Sequence, residues 1–174
     1  MAANPEQIVK IDVDDTSNGH NIHYSFNMRS LAMTESWPLI QDYTTNCPVL
    51  PTSWTLAITY KQIPETGEVS CFVTLTRIDL ASASVEATVS ISILDKEKHF
   101  VRYPRPICSS QMLTTETIQG TFEDSRDPGL KNYVLSLEFI LRITVLIRSC
   151  HLTENFDRQK YFSSNVKDKR RSKK

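Results

Sequence analysis

The chain has 174 residues, 20 Lys/Arg against 20 Asp/Glu, a formal net charge of zero and 40% hydrophobic residues. That length suits a single domain, since chains carry one domain per ~100–200 residues, and it can bury a core without disulfide or metal support. Only 4 glycines are present, which argues against a glycine-rich phosphate loop, and no apolar run reaches the ~18–20 residues of a bilayer span, so no membrane partner is expected.

The charges are unevenly spread. From Arg158 to Lys174 the chain carries eight of its Lys/Arg residues and only Asp168 among its acids, so an acidic body precedes a basic tail. The opening Met1-Ala-Ala-Asn-Pro-Glu-Gln shows no basic stretch followed by an apolar one. No secretory signal is read there, and an intracellular location, nucleus or cytoplasm, is expected.

Residues 1–19 are polar, with the acidic run Asp12-Val-Asp-Asp15, and read as a lead-in with an edge strand at Ile8–Val13. Ile22–Met28 alternates Ile22, Tyr24, Phe26 and Met28 against His23, Ser25 and Asn27, the period of a half-buried strand. Trp37–Pro51 holds Pro38, Pro48 and Pro51 and reads mostly as loop. Trp54, Leu56, Ile58 and Tyr60 then share one face, and Pro64-Glu-Thr-Gly67 supplies a turn.

Val69, Cys71, Val73 and Leu75 oppose Ser70, Phe72 and Thr74 on the next strand. Val85–Ile93 is the clearest strand: Val85, Ala87, Val89, Ile91 and Ile93 point one way, Glu86, Thr88, Ser90 and Ser92 the other. A helix would scatter these residues around its circumference. Residues 95–120 are mixed, with a weaker strand near Phe100–Tyr103. Leu137–Ile147 sorts Phe139, Leu141, Ile143, Val145 and Ile147 onto one face, and its β-branched content favours a strand. A helix over Leu130–Phe139 is the competing local reading. Six or seven strands without a long helix make a sandwich of two apolar faces the leading architecture.

No catalytic motif stands out. No serine lies in a G-x-S-x-G elbow, no Walker lysine follows a glycine loop, and G-x-G-x-x-G is absent. No enzyme is therefore expected. Cys47, Cys71, Cys108 and Cys150 are far apart, and His20, His23, His99 and His151 show no ligand spacing. Four reduced thiols, a solvated His20/His23 loop pair, no metal and no cofactor are the expected state. The terminal Lys167-Asp-Lys-Arg-Arg-Ser-Lys-Lys174 fits an import signal or a nucleic-acid contact, and equally a solvated, disordered end.

The order of five segments resembles a known family. Val49–Tyr60 is similar to a loop followed by a tryptophan strand, and Val69–Leu75 to the strand after it. Val85–Leu94, ending Ser-Ile-Leu-Asp, resembles a strand closing in Ser-Ile-Leu-Asn. Phe122 followed by Pro128-Gly-Leu-Lys-Asn-Tyr-Val134 resembles Phe, then Trp-Gly-Phe-x-x-Phe-Ile, and Leu141–Ile147 takes the place of the last strand. Together they resemble a MATH domain, the module of TRAF and speckle-type POZ proteins, over Ile22–Leu152. Phe26-Asn-Met-Arg stands where that family usually carries a tryptophan.

The resemblance implies an eight-stranded antiparallel sandwich with a shallow groove for extended peptides. In speckle-type members such a groove takes Ser/Thr-rich segments and delivers them to a cullin ubiquitin ligase. Carried over, the peptide-binding residues are Phe72, Val89, Gly120, Pro128 and Leu130. Phe72 keeps the expected aromatic character; Val, Gly, Pro and Leu replace aromatic groups at the others, which removes flat walls that bury peptide side chains at little entropic cost. Speckle-type members usually continue into a BTB/POZ domain, whereas this sequence ends about twenty residues past the expected sandwich. A lone, diverged module or a truncated product is the expectation.

The expected fold is thus an all-β antiparallel sandwich of seven or eight strands over residues 20–153, with a lead-in (1–19) and a basic, disordered tail (154–174). The expected function is non-enzymatic binding of extended peptide segments, with a protein or peptide partner and scope for a homo-oligomer. The alternative is a structural or assembly protein whose sandwich self-associates and whose tail contacts nucleic acid.

Overall fold

The computed structural model describes residues 9–28, 39–63, 68–124 and 139–151. These form nine strands and no helix: β1 (Val9–Thr16), β2 (Gly19–Met28), β3 (Leu39–Thr44), β4 (Ser53–Ile63), β5 (Glu68–Arg77), β6 (Val85–Asp95), β7 (Phe100–Met112), β8 (Thr117–Asp124) and β9 (Phe139–Arg148). One antiparallel sheet has the order β1-β2-β9-β6-β7, the other β3-β4-β5-β8. The fold is an all-β sandwich, with nine strands among the described residues rather than seven or eight.

The differences have local causes. β3 lies inside the stretch read as loop, because Pro38, Pro48 and Pro51 flank Leu39–Thr44 without interrupting it. β7 runs well beyond the expected Phe100–Tyr103 and carries Pro104 and Pro106. It can do so as the edge of its sheet, where a missing N–H breaks no ladder between two neighbours. β8 was hidden in the mixed segment. The edge strand expected over Ile8–Val13 is found as β1, so the sheet begins inside the expected lead-in. The Pro64–Gly67 turn, residues 130–138 of the competing helix and the basic tail lie outside the described residues.

The inward stripes are the ones that alternation predicts. Ile22, Tyr24 and Phe26, then Trp54, Leu56, Ile58 and Tyr60, then Cys71, Val73 and Leu75 are buried. So are Val85, Ala87, Val89, Ile91 and Ile93, and Phe139 through Ile147 at every second position. Each large aliphatic among them is worth about 1.5–3 kcal/mol of transfer free energy. A one-residue slip would turn a whole stripe outward, so burial fixes the register, such as Tyr24 opposite Ile143 and Ile58 opposite Val73.

All the loops that end near Gly19, Ser53, Arg77, Met112 and Arg148 gather at one end of the sandwich. The crossover from β5 to β6 is held there by Arg77, which is fully buried. Its guanidinium grips Asp79 with two bonds of 2.9 Å and donates to the carbonyls of Ala83 at 2.7 Å and Met112 at 2.8 Å. Asp79 also accepts the N–H groups of Ser53 and Ala81. Burial pushes the Asp79 pKa up, but the bonds from Arg77, Ser53 and Ala81 prevail and hold it below its usual value.

Candidate functional site

Of the five residues carried over from the family, the three that the structure describes, Phe72, Val89 and Gly120, do not share one surface. Phe72 stands on the outer face of the four-stranded sheet, 44% exposed. Its cross-strand partners are Thr59 on β4 and Thr121 on β8, with Thr74 beside it on β5. Val89 is fully buried in the other sheet, between Val145 of β9 and Cys108 of β7, and cannot share a surface with Phe72. The alternation that makes Val85–Ile93 a strand places Val89 in the core, and this overrides the alignment.

Gly120 is buried as well, opposite Val73. The ladder from β6 to β7 shifts register between Val89 and Ser90, leaving Ile107 as an extra residue on β7. Ile107 reaches across to β8, where a Cβ on Gly120 would stand 3.0 Å from its side chain. Glycine thus serves packing there, not ligand contact. Pro128 and Leu130 lie outside the described residues.

A different group of residues does assemble. His20, Cys47, Cys150 and His151 each aim one nitrogen or sulfur at a common point, with all four atoms within 4.8 Å of one another. Three separate pieces of chain supply them. Gly19 lets the start of β2 lie hard against β9, since a Cβ there would overlap the Ile147 carbonyl oxygen. This sets His20 beside the end of β9.

Ser149 turns the chain back with φ 67°, uncommon for a residue with a side chain, and donates its N–H to the Asn18 carbonyl at 3.0 Å. Cys150 and His151 follow directly. Cys47 comes from the β3–β4 loop, whose neck is closed by Thr45 and Thr52. The Thr45 N–H meets the Thr52 carbonyl at 2.8 Å, and the Thr52 N–H meets Thr45 Oγ1 at 2.8 Å. Thr52 Oγ1 accepts the Trp54 indole N–H at 2.8 Å, pinning the neck to the core.

The cluster is polar inside an apolar surround. His20 Nδ1 donates to Asp15 at 2.7 Å, so its Nε2 presents a lone pair, and that atom lies 3.2 Å from His151 Nε2. The Leu50 N–H donates to Cys47 Sγ at 3.4 Å, and the Cys47 thiol points to the Cys150 carbonyl at 3.7 Å. Burial opposes a charged His20, but its bonds to Cys47 and Asp15 prevail and raise its pKa. Burial likewise opposes a Cys47 thiolate, but His20 and the N–H groups of Leu50 and Val49 outweigh it and lower the pKa. Cys150 is pushed up to about 12, by burial first and then by the neighbouring Cys47.

All four cysteines are free thiols, and Cys47 and Cys150, far apart in the sequence, are neighbours in space. One expectation is corrected here. His20 and His23 are not a loop pair: both lie on β2 in opposite phase, His20 buried in the cluster and His23 bonded to Thr144 and Asp14. The local signal in the sequence was the adjacency of Cys150 and His151; their partners lie about a hundred residues away, beyond the reach of spacing rules.

Cys47, His20 and Asp15 also have the order of nucleophile, base and orienting acid. Cys47 is only 4% exposed, and its sulfur lies among the donor atoms of His20, Cys150 and His151. A second group, Asp95, Glu97 and His99, is a turn: Asp95 accepts the N–H groups of Glu97 and His99 where Lys98 adopts φ 68°.

No protein-family model matches the chain, and no curated protein matches it. Among the described residues no helix is long and apolar enough to cross a membrane. Among solved structures, the enzymatically active domain of tailspike protein 4 from bacteriophage CBA120 is similar at 12% identity and a TM-score of 0.22, over 67% of this chain. The chain spans 19% of that structure's length, and a likeness at this level carries no statement about activity.

Proposed function

We propose that this chain is a non-enzymatic protein-binding module that holds an extended peptide against the outer face of its four-stranded sheet, with Phe72 as the anchor. The observation that carries this reading is a half-exposed aromatic on an interior strand, bordered by the hydroxyls of Thr59, Thr74 and Thr121. An aromatic side chain fixed by its strand buries large area with little rotamer entropy to lose, and the hydroxyls meet a peptide's polar backbone. β5 is paired on both sides, so the peptide is held by side chains and not as an added strand. The MATH-like order of segments supports the same reading, because that family binds extended peptides; a ubiquitin-ligase adaptor role is then tested by co-purification with a cullin.

The experiment is selection of a displayed random-peptide library on the intact chain, followed by affinity measurement of the selected peptides. Phe72→Ala is expected to weaken them by more than ~1 kcal/mol. Undiminished binding to a folded Phe72→Ala chain overturns the assignment.

One observation favours a second docking surface. Leu80 is 94% exposed on the clamped crossover, with Ile78 and Leu113 also exposed. The Thr115 N–H bonds the Arg77 carbonyl and the Thr114 hydroxyl bonds the Asp79 carbonyl, so the two loops are tied together. A partner seated there would lose affinity with Leu80→Ser and keep it with Phe72→Ala.

A further inference from the structure

The geometry points to a structural zinc site formed by His20 Nε2, Cys47 Sγ, Cys150 Sγ and His151 Nε2, and we propose that the folded chain carries one zinc ion there. The inference is independent of the peptide-binding reading and stands on four observations. The donor set, two imidazoles and two thiols, is the one that zinc prefers in four-coordinate structural sites. The spacing is close to what a tetrahedron needs. Zinc–nitrogen bonds of about 2.0–2.1 Å and zinc–sulfur bonds of about 2.3 Å put two nitrogens about 3.3 Å apart and two sulfurs about 3.8 Å apart. The two Nε2 atoms are 3.2 Å apart and all four ligand atoms fall within 4.8 Å, so a small side-chain adjustment closes the shell.

Asp15 meets the outer nitrogen of His20 at 2.7 Å, which fixes the tautomer with Nε2 free to ligate, and the Leu50 N–H supports Cys47 Sγ at 3.4 Å. Finally, three of the four side chains are buried, where polar groups need partners. Each thiol releases its proton to solvent as the zinc–sulfur bond forms, and the ion's two charges are balanced by the two thiolates.

The ion would join pieces that the strand ladders leave separate. His20 lies on β2 and Cys150 and His151 directly follow β9, two strands of the five-stranded sheet, and Cys47 lies in the loop between β3 and β4 of the other. Protein side chains supply all four positions, with only His151 partly exposed, so the site clips the two sheets together at the loop end and has the closed shell of a structural metal rather than the open position of a catalytic one.

The test uses the intact chain, purified reduced and without chelator. Expected are one zinc per chain by elemental analysis and, on exchange to cobalt(II), the visible bands of a tetrahedral ion with a thiolate-to-cobalt charge-transfer band. Cys108→Ser keeps both signals; Cys47→Ser and Cys150→Ser lose the charge-transfer intensity or the metal. Chelator lowers the melting temperature of the wild-type chain and leaves that of Cys150→Ser unchanged. If either variant fails to fold, the wild-type cobalt spectrum decides. A folded wild-type chain that takes up neither ion overturns the site. So does a Cys47–Cys150 disulfide that survives in the reduced preparation, or rapid alkylation of Cys47 in the presence of zinc, which would mark a reactive thiol.

Discussion

The outer face of the four-stranded sheet and the loop end of the sandwich use side chains in opposite ways. On the face, every residue stands in strand phase, and Phe72 is exposed because Cys71 and Val73 on either side of it are buried. Its position follows from three consecutive residues. At the loop end, His20, Cys47 and Cys150 come from distant pieces of chain and meet because Gly19, Ser149 and the Thr45–Thr52 neck bend the backbone to one point. The face offers a surface that can lose an atom without consequence for the fold. The loop end is a closed polar network in which each member satisfies another, so that removing one leaves an unpaired buried group.

That contrast can be broken at four points. The largest effect is expected from Arg77→Ala at the loop end. It removes the counter-charge of Asp79, which keeps only the N–H groups of Ser53 and Ala81, and takes the guanidinium from the carbonyls of Ala83 and Met112, and should cost about 3–5 kcal/mol in urea unfolding. A loss near zero would show that the crossover is held by its backbone bonds alone.

Gly19→Ala is expected to cost about 1–3 kcal/mol, since its methyl group meets the Ile147 carbonyl oxygen and the strands must part. The same shift carries His20 away from Cys150. Hydrogen exchange should therefore quicken along β2 and β9 and not along β4 and β5.

The third effect depends on pH. The folded pKa of Asp79 is held below its unfolded value, so its contribution is fully present above the unfolded value of about 3.9. It is lost as pH falls through the folded value. Asp79→Asn lacks it throughout. The stability gap between wild type and Asp79→Asn should thus be constant near neutrality and close as the solution is acidified below about pH 4. A gap that stays constant into acid would separate the clamp from the charge of Asp79.

The smallest stability effect is expected on the face. Phe72→Ala should change unfolding free energy by no more than about 0.5 kcal/mol, as for an exposed site outside any network. Substantial destabilisation would place Phe72 among the packing residues and remove it as a binding anchor.

Alternation by itself determined the inner faces of β2, β4, β5, β6 and β9, and with them the all-β sandwich and the outward phase of Phe72. This works because a strand's period of two is local: a residue's side is set by its neighbours, and burying one stripe settles the rest. The tertiary structure alone decided what local pattern does not encode. It showed that β3 runs between prolines, that a bulge sends Ile107 onto Gly120, and that Val89 lies in the core despite its alignment to a groove. Above all it brought His20 to Cys47, Cys150 and His151. Spacing rules find ligands that one turn presents together, whereas these are drawn together by sheet pairing, with β2 laid against β9 and the β3–β4 loop folded over their ends. Such a site exists only once both sheets have packed, because its parts share no segment of sequence.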